Sequence, residues 1–251
     1  MAKLENVGEI DAIKHLGARV TIPLAYAKGV EFPWPIGSGT LVHNCDRLFI
    51  LTAAHVFDGC NINRFWVPTD RLGGRPTPSG NAGLHRHRDP ELFDIAVIEV
   101  LDPSVREVLR QNWGSISRDQ IQCPTPDGTF ILFGYPSEKL HQVDKTLMCS
   151  LITACTERLI DPPENATDPV DRDIDLFFLH DNNARDEDGE LITSPHLRGA
   201  SGGGIWEIRE AETGTLWTAE KNMRLVGIQS SALHGEWFRA KTAVAALSAI
   251  Q

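Results

Sequence analysis

The sequence predicts an all-β fold of the barrel or sandwich type, and three observations carry that prediction. Short runs rich in Val, Ile, Leu, Phe and Thr recur along the chain between turn residues, as strands do. Helical periodicity is scarce. The 251 residues, with 41% hydrophobic and 23% charged side chains, suffice to enclose a large core and exclude disordered, collagen-like and coiled-coil chains.

The runs 20–25, 39–42 and 48–52 open the series, each apolar or β-branched and bounded by breakers or charges. The stretch 70–89 is dense in Gly and Pro and reads as a surface loop. Strands follow at 95–100, 129–133 and 147–154, then a Pro- and Asp-rich loop at 161–173, and strands at 174–179 and 225–230. Between the last two, the acid-rich segment from Asp181 reads as a solvated hairpin turning at Asp188-Gly189. The end of the chain, 240–250, is rich in helix formers and spaces Val244, Leu247 and Ile250 for a short C-terminal helix packed on the β-structure. No internal repeat is visible.

A formal charge of −10 with no basic patch argues against nucleic acid as a partner. The first ten residues carry acids where a secretory signal needs an apolar run, and no window approaches 18 uninterrupted apolar residues. Neither export nor membrane spanning is expected. Cys45, Cys60, Cys123, Cys149 and Cys155 are odd in number, scattered and free of C-x-x-C pairs, which suits reduced thiols in a cytoplasmic protein. No metal site is expected: Asp186 stands where a calcium loop needs Gly, and His85 and His87 lack a third ligand. The six tryptophans read as packing residues.

Three segments carry chemistry, in a fixed order. Phe49-Ile-Leu-Thr-Ala-Ala-His55 is an apolar strand ending in small residues and a histidine; Asp94-Ile-Ala-Val is an acid at the entrance of another strand; Arg198-Gly-Ala-Ser201-Gly-Gly-Gly204 is a serine within glycines that can turn N–H groups toward one point. A serine hydroxyl needs a base, and the base needs an acid to fix its tautomer. His55, Asp94 and Ser201 supply these roles. An α/β-hydrolase elbow around Ser201 would need an acid and then a histidine after it, and too little chain remains for the rest of that fold.

These motifs, L-T-A-A-H, D-I-A-V and G-x-S-G-G in that order, resemble the trypsin/chymotrypsin-like serine proteases. The resemblance implies a double six-stranded β-barrel (about 15–115 and 120–239) with a C-terminal helix over 240–250, and a cofactor-free endopeptidase acting on protein or peptide substrates. It makes His55 the general base and then acid, Asp94 its orienter and Ser201 the nucleophile, with the N–H groups of Gly199 and Ser201 as the oxyanion hole. Pro195 falls at the floor of the primary pocket and Ser230, Ser231 and Ala232 along its wall and the substrate-pairing strand. No acid lies there, so a small-to-medium or apolar P1 residue is expected.

The sequence departs from the secreted members in having Ala200 where an Asp would pair with a new N-terminus, and Val56 where a cysteine often follows the histidine. Activation by N-terminal insertion is therefore not expected. Control by a partner or oligomer is, with the loop 196–202 mis-set until ordered. The rival reading is a catalytically silent module that holds extended peptides.

Overall fold

The computed structural model describes residues 7–27, 32–70, 76–87, 89, 92–143, 146–185 and 190–250. The chain is an all-β double barrel: two curled, antiparallel sheets, one from each half. The first contains β1 (Thr21–Tyr26), β2 (Trp34–Asn44), β3 (Arg47–Thr52), β4 (Phe65–Pro68), β5 (Pro76–Pro78), β6 (Ala82–Arg86), β7 (Ala96–Val100) and β8 (Ile116–Ser117), in the order β5-β4-β1-β2-β3-β7-β6, with β8 added in parallel to β2.

The second half contains β9 (Thr129–Gly134), the hairpin β10 (Leu140–Val143) and β11 (Thr146–Cys149), β12 (Ile152–Thr156), β13 (Arg158–Leu159) and β14 (Asp175–Leu179). It continues with the hairpin β15 (Asn183–Arg185) and β16 (Leu191–Thr193), then β17 (Gly204–Ile208), β18 (Met223–Leu233) and β19 (Trp237–Thr242). Seven of these strands form one sheet, β12-β9-β17-β18-β19-β14-β13. The sheets thus hold eight and seven strands rather than six each. The acidic hairpin exists as β15 and β16, while its tip at Asp188-Gly189 lies outside the described residues.

The C-terminal helix is shorter than the sequence predicts. Residues 240–242 complete β19, and a single 3-10 turn, Ala243–Ala246, follows. The physical reason lies far away in sequence: Ala240 and Lys241 pair with Leu176 and Asp175 of β14, and Lys241 Nζ lies 2.5 Å from Asp175 Oδ1 with both side chains almost fully buried. Two charges so enclosed stabilise only as a pair. Lys241→Met alone is expected to cost about 3–5 kcal/mol in urea unfolding, and the double variant Lys241→Met/Asp175→Leu to recover most of it. Full additivity of the two losses would disprove the coupling.

Two helices arise where the sequence analysis has none. α1 (Val7–Val20) turns Ile13, Leu16 and Val20 into the core. α2 (Pro103–Asn112) is capped by Asp102, whose carboxylate accepts from the N–H groups of Ser104 and Val105, with Pro at the first helical position. The Ser104 hydroxyl and these N–H bonds hold the Asp102 carboxyl below its usual range. A third, α3 (Ala219–Asn222), is one turn long.

The buried side chains form three clusters. One fills the first barrel around Ile22, Ile50 and Phe65; one fills the second around Phe130, Phe178 and Phe238. The third joins α1, Phe49 and Val97 of the first sheet, Phe133, Trp206 and Leu225 of the second, and Ile250 near the chain end. That shared cluster seats the sheets against each other and fixes the loops at their junction. Among the described residues no helix is long and apolar enough to cross a membrane.

Candidate active site

His55 owes its position to the way β3 ends. After Thr52, the small Ala53 and Ala54 are fully buried, and one 3-10 turn, Ala54–Phe57, sinks Val56 and Phe57 into the core while leaving His55 exposed. Thr52 pairs with Ala96 of β7, so Asp94, two residues before Ala96, emerges at the same end of the strand pair. Its carboxylate grips the histidine twice: Oδ1 accepts from the His55 backbone N–H at 2.9 Å and Oδ2 lies 2.7 Å from ring Nδ1. With Nδ1 carrying the proton toward the acid, Nε2 is left as the free base.

The hydrogen bond to Asp94 raises the His55 pKa above its ordinary 6.5, against the opposing effect of burial and with added attraction from Asp94 and Asp58. The sign is definite. The ion pair contributes stability fully below pH 6.5 and loses it as the pH rises through the raised value, over which the neutral imidazole appears. Asp94→Asn is expected to lower the His55 pKa, read by NMR titration of the ring, and to cut turnover about 10⁴-fold. An unshifted titration would overturn the assignment of Asp94.

The serine loop is tied to both barrels. A turn from Leu197 to Ala200 is closed by Ala200 N–H to Leu197 O at 2.9 Å, with Gly199 at its third position and φ of +88°, the left-handed conformation that favours glycine there. Arg198 O accepts from Ser137 N–H, Gly202 N–H donates to Gln229 O and Gly203 N–H to Ala200 O, each at 2.8 Å. The loop expected to be mis-set in the isolated chain is therefore held at several points. Ala200, fully buried, packs against Gly134 and the second-barrel core.

Ser38 of β2 ties the Ser201 backbone to the end of β3 that leads to His55. Its N–H donates to Ser201 O at 2.8 Å, its carbonyl accepts from Thr52 Oγ1 at 2.7 Å, and its hydroxyl accepts from Tyr135 N–H at 2.9 Å. Thr52 stands three residues before His55. A Cβ placed on the neighbouring Gly37 would lie 2.8 Å from both Ser201 O and a Val56 methyl, so the serine backbone and the histidine turn face each other across one glycine. No hydrogen bond joins Ser201 Oγ to His55 among the described residues; such bonds are often long before substrate binds. The N–H groups of Gly199 and Ser201 likewise have no acceptor among the described residues.

Around this centre, β18 runs past the loop. Ser230 forms a bulge and commits its hydroxyl to Arg239 O at 3.3 Å, whereas Ser231 and Ala232 are exposed. Residues 231–233 pair with β19 on one edge and with no strand on the other, among the described residues. Pro195 is half-buried in the irregular segment between β16 and the serine loop. A cleft of about 430 Å³ lies beside the loop, lined by Trp34, Pro35, Ser137, Leu147 and Arg198 among others. Sequence reasoning gave no role to Ser38, Ser137, His180 or His234, and His196 enters it only as the start of the serine loop. Only Ser38 carried a signal, as part of the Gly37-Ser-Gly39 run before the histidine strand. Among the described residues no cluster of potential ligands could hold a metal.

No family model matches this chain, and no curated protein matches it. It is similar to a solved structure from Sesbania mosaic virus, concerned with aromatic interactions that drive coupled folding and binding of the intrinsically disordered VPg protein. The TM-score is 0.51 at 14% identity, over 93% of this chain and 90% of that one. That likeness is one of fold. Together with the two half-barrel sheets, the architecture fits a trypsin-like fold.

Proposed function

We propose that this chain is a trypsin-like serine endopeptidase that hydrolyses peptide bonds through an acyl-enzyme. The observation that supports it most is the two-point His55–Asp94 pair at the end of β3, linked through Thr52 and Ser38 to the Ser201 loop. On this reading His55 Nε2 takes the Ser201 hydroxyl proton as Oγ attacks the scissile carbonyl. The resulting oxyanion accepts from the N–H groups of Gly199 and Ser201, each donor worth about 3–4 kcal/mol in the transition state. His55 returns the proton to the leaving amine, and water, activated by the same imidazole, releases the acid product.

The open edge of β18 at residues 231–233 suits an extended peptide added as a further strand. The five cysteines are free, which is compatible with a reducing, cytoplasmic setting. No nucleic-acid or membrane partner enters this reading. Fluorophosphonate labelling tests it: the parent should label and turn over peptides, whereas a silent peptide-binding module would do neither. Control by a partner or by assembly belongs to the same reading, and equal activity of the purified chain with and without cell extract would overturn that part.

A further inference from the structure

His180, His196 and His234 come from three separate segments and meet in one cluster. The rings of His196 and His234 stack with centroids 3.7 Å apart, and His180 meets His234 edge-on at 5.1 Å. His180 follows the end of β14, His196 follows Pro195 on the approach to Ser201, and His234 follows the end of β18. The cluster therefore joins the segments that the sequence assigns to the floor and the wall of the substrate pocket.

Its polar atoms are unusually free. His180 is only 7% exposed, yet neither ring nitrogen has a hydrogen-bond partner among the described residues, and the same holds for His234 Nδ1. The carbonyls of Pro195 and Leu233 lie near enough to favour a charged His180, in geometries too poor to bond it. Burial and the neighbouring His234 and His196 outweigh them and lower its pKa below the ordinary 6.5. The exposed Asp181 and Glu236, next along their segments, do not act on it, and Glu236 is turned to Asn165 at 2.7 Å. Stacked imidazoles repel when charged, and this cluster lacks a counter-acid.

We propose that this triple-imidazole cluster is the receptor for an acidic side chain of the substrate, so that the enzyme cleaves after Glu or Asp. This rests on the endopeptidase reading and replaces the apolar P1 preference expected from sequence. A bound carboxylate supplies the missing negative charge, and a proton taken up by the cluster completes the pair. Binding therefore strengthens as the pH falls toward the free cluster's pKa, as long as the substrate carboxyl stays ionised. Cleavage of acidic substrates then has a bell-shaped pH profile, because His55 must be neutral while the cluster is charged; for uncharged P1 residues the profile only rises.

The test uses Ser201→Ala protein, so that binding is read apart from turnover. Acetyl-Ala-Ala-Ala-Xaa amides with Xaa Glu, Asp, Gln or Leu are titrated while the imidazole resonances are followed by NMR at about pH 6 and about pH 8. The Glu or Asp peptide should bind at least about tenfold tighter than Gln at the lower pH and lose that margin at the higher. The His180 resonance should titrate higher when the site is occupied. His234→Asn, a half-buried site less exposed to folding loss than His180, should abolish the margin. Equal or tighter binding of Gln or Leu, binding of no peptide, or an unmoved His180 resonance would each overturn the receptor. Failure of the parent to cleave any fluorogenic member of the series would instead overturn the endopeptidase reading, and the binding arm would still decide the pocket.

Discussion

Ser201→Ala should remove turnover almost completely, with kcat falling about 10⁶-fold, while the folded state is left within about 0.5 kcal/mol of the parent. The asymmetry follows from what the residue contributes. Its backbone carbonyl, which accepts from Ser38, survives the change; its hydroxyl has no hydrogen-bond partner among the described residues to lose. What disappears is the atom that attacks in the proposed mechanism. Fluorogenic hydrolysis and fluorophosphonate labelling read the first effect, and calorimetry the second. A variant that turned over as fast as the parent would remove the nucleophile from the scheme.

Gly202→Ala should have the largest effect on stability, about 3 kcal/mol or more, with loss of activity alongside. Gly202 has a φ of +87°, which L side chains adopt at a cost. A Cβ there would also meet the carbonyl oxygen of Ser38 and the hydroxyl of Thr52. Neither can retreat: both are fully buried, and they are bonded to each other at 2.7 Å. Gly214 provides the control, since it has a similar φ of +85° and nothing within 4 Å of an added Cβ; Gly214→Ala should cost only about 1 kcal/mol. Equal denaturation midpoints for the two variants would show that the crowding at Gly202 carries no weight.

Strands were legible wherever burial on both faces leaves an uninterrupted apolar run, as at Phe49 to Leu51 and Phe130 to Phe133, all essentially inaccessible. They were hidden where the sheet encloses a charge that a distant residue satisfies. Glu207 in β17 is buried and bonded to Arg209 and Thr125, which no local pattern announces. β5 reads as a loop because of its two prolines, and it is tolerated because it lies at the edge of its sheet. The helix α2 was readable: Asp102-Pro103 is a capping pair, with Val105 and Leu109 four apart on the buried side.

The site divides in the same way. The motifs around His55, Asp94 and Ser201 stand out because each is a short local arrangement, small residues beside a ring, an acid at a strand entrance, glycines around a hydroxyl. The histidine cluster has no such signature. His180, His196 and His234 acquire a common meaning only when β14, β18 and the serine loop are brought together, so an expectation built from the absence of an acid in the pocket overlooked the presence of bases.

The third core cluster, drawn from α1, both sheets and the chain end, means that each half has a core of its own and yet leaves apolar surface that only the other covers. Cutting the gene between the barrels should yield two fragments that precipitate alone and regain solubility only on mixing, and heating the whole chain should give one endotherm. Selection can then remodel rims and pockets freely, but it cannot trade one lobe for another without rewriting the seam.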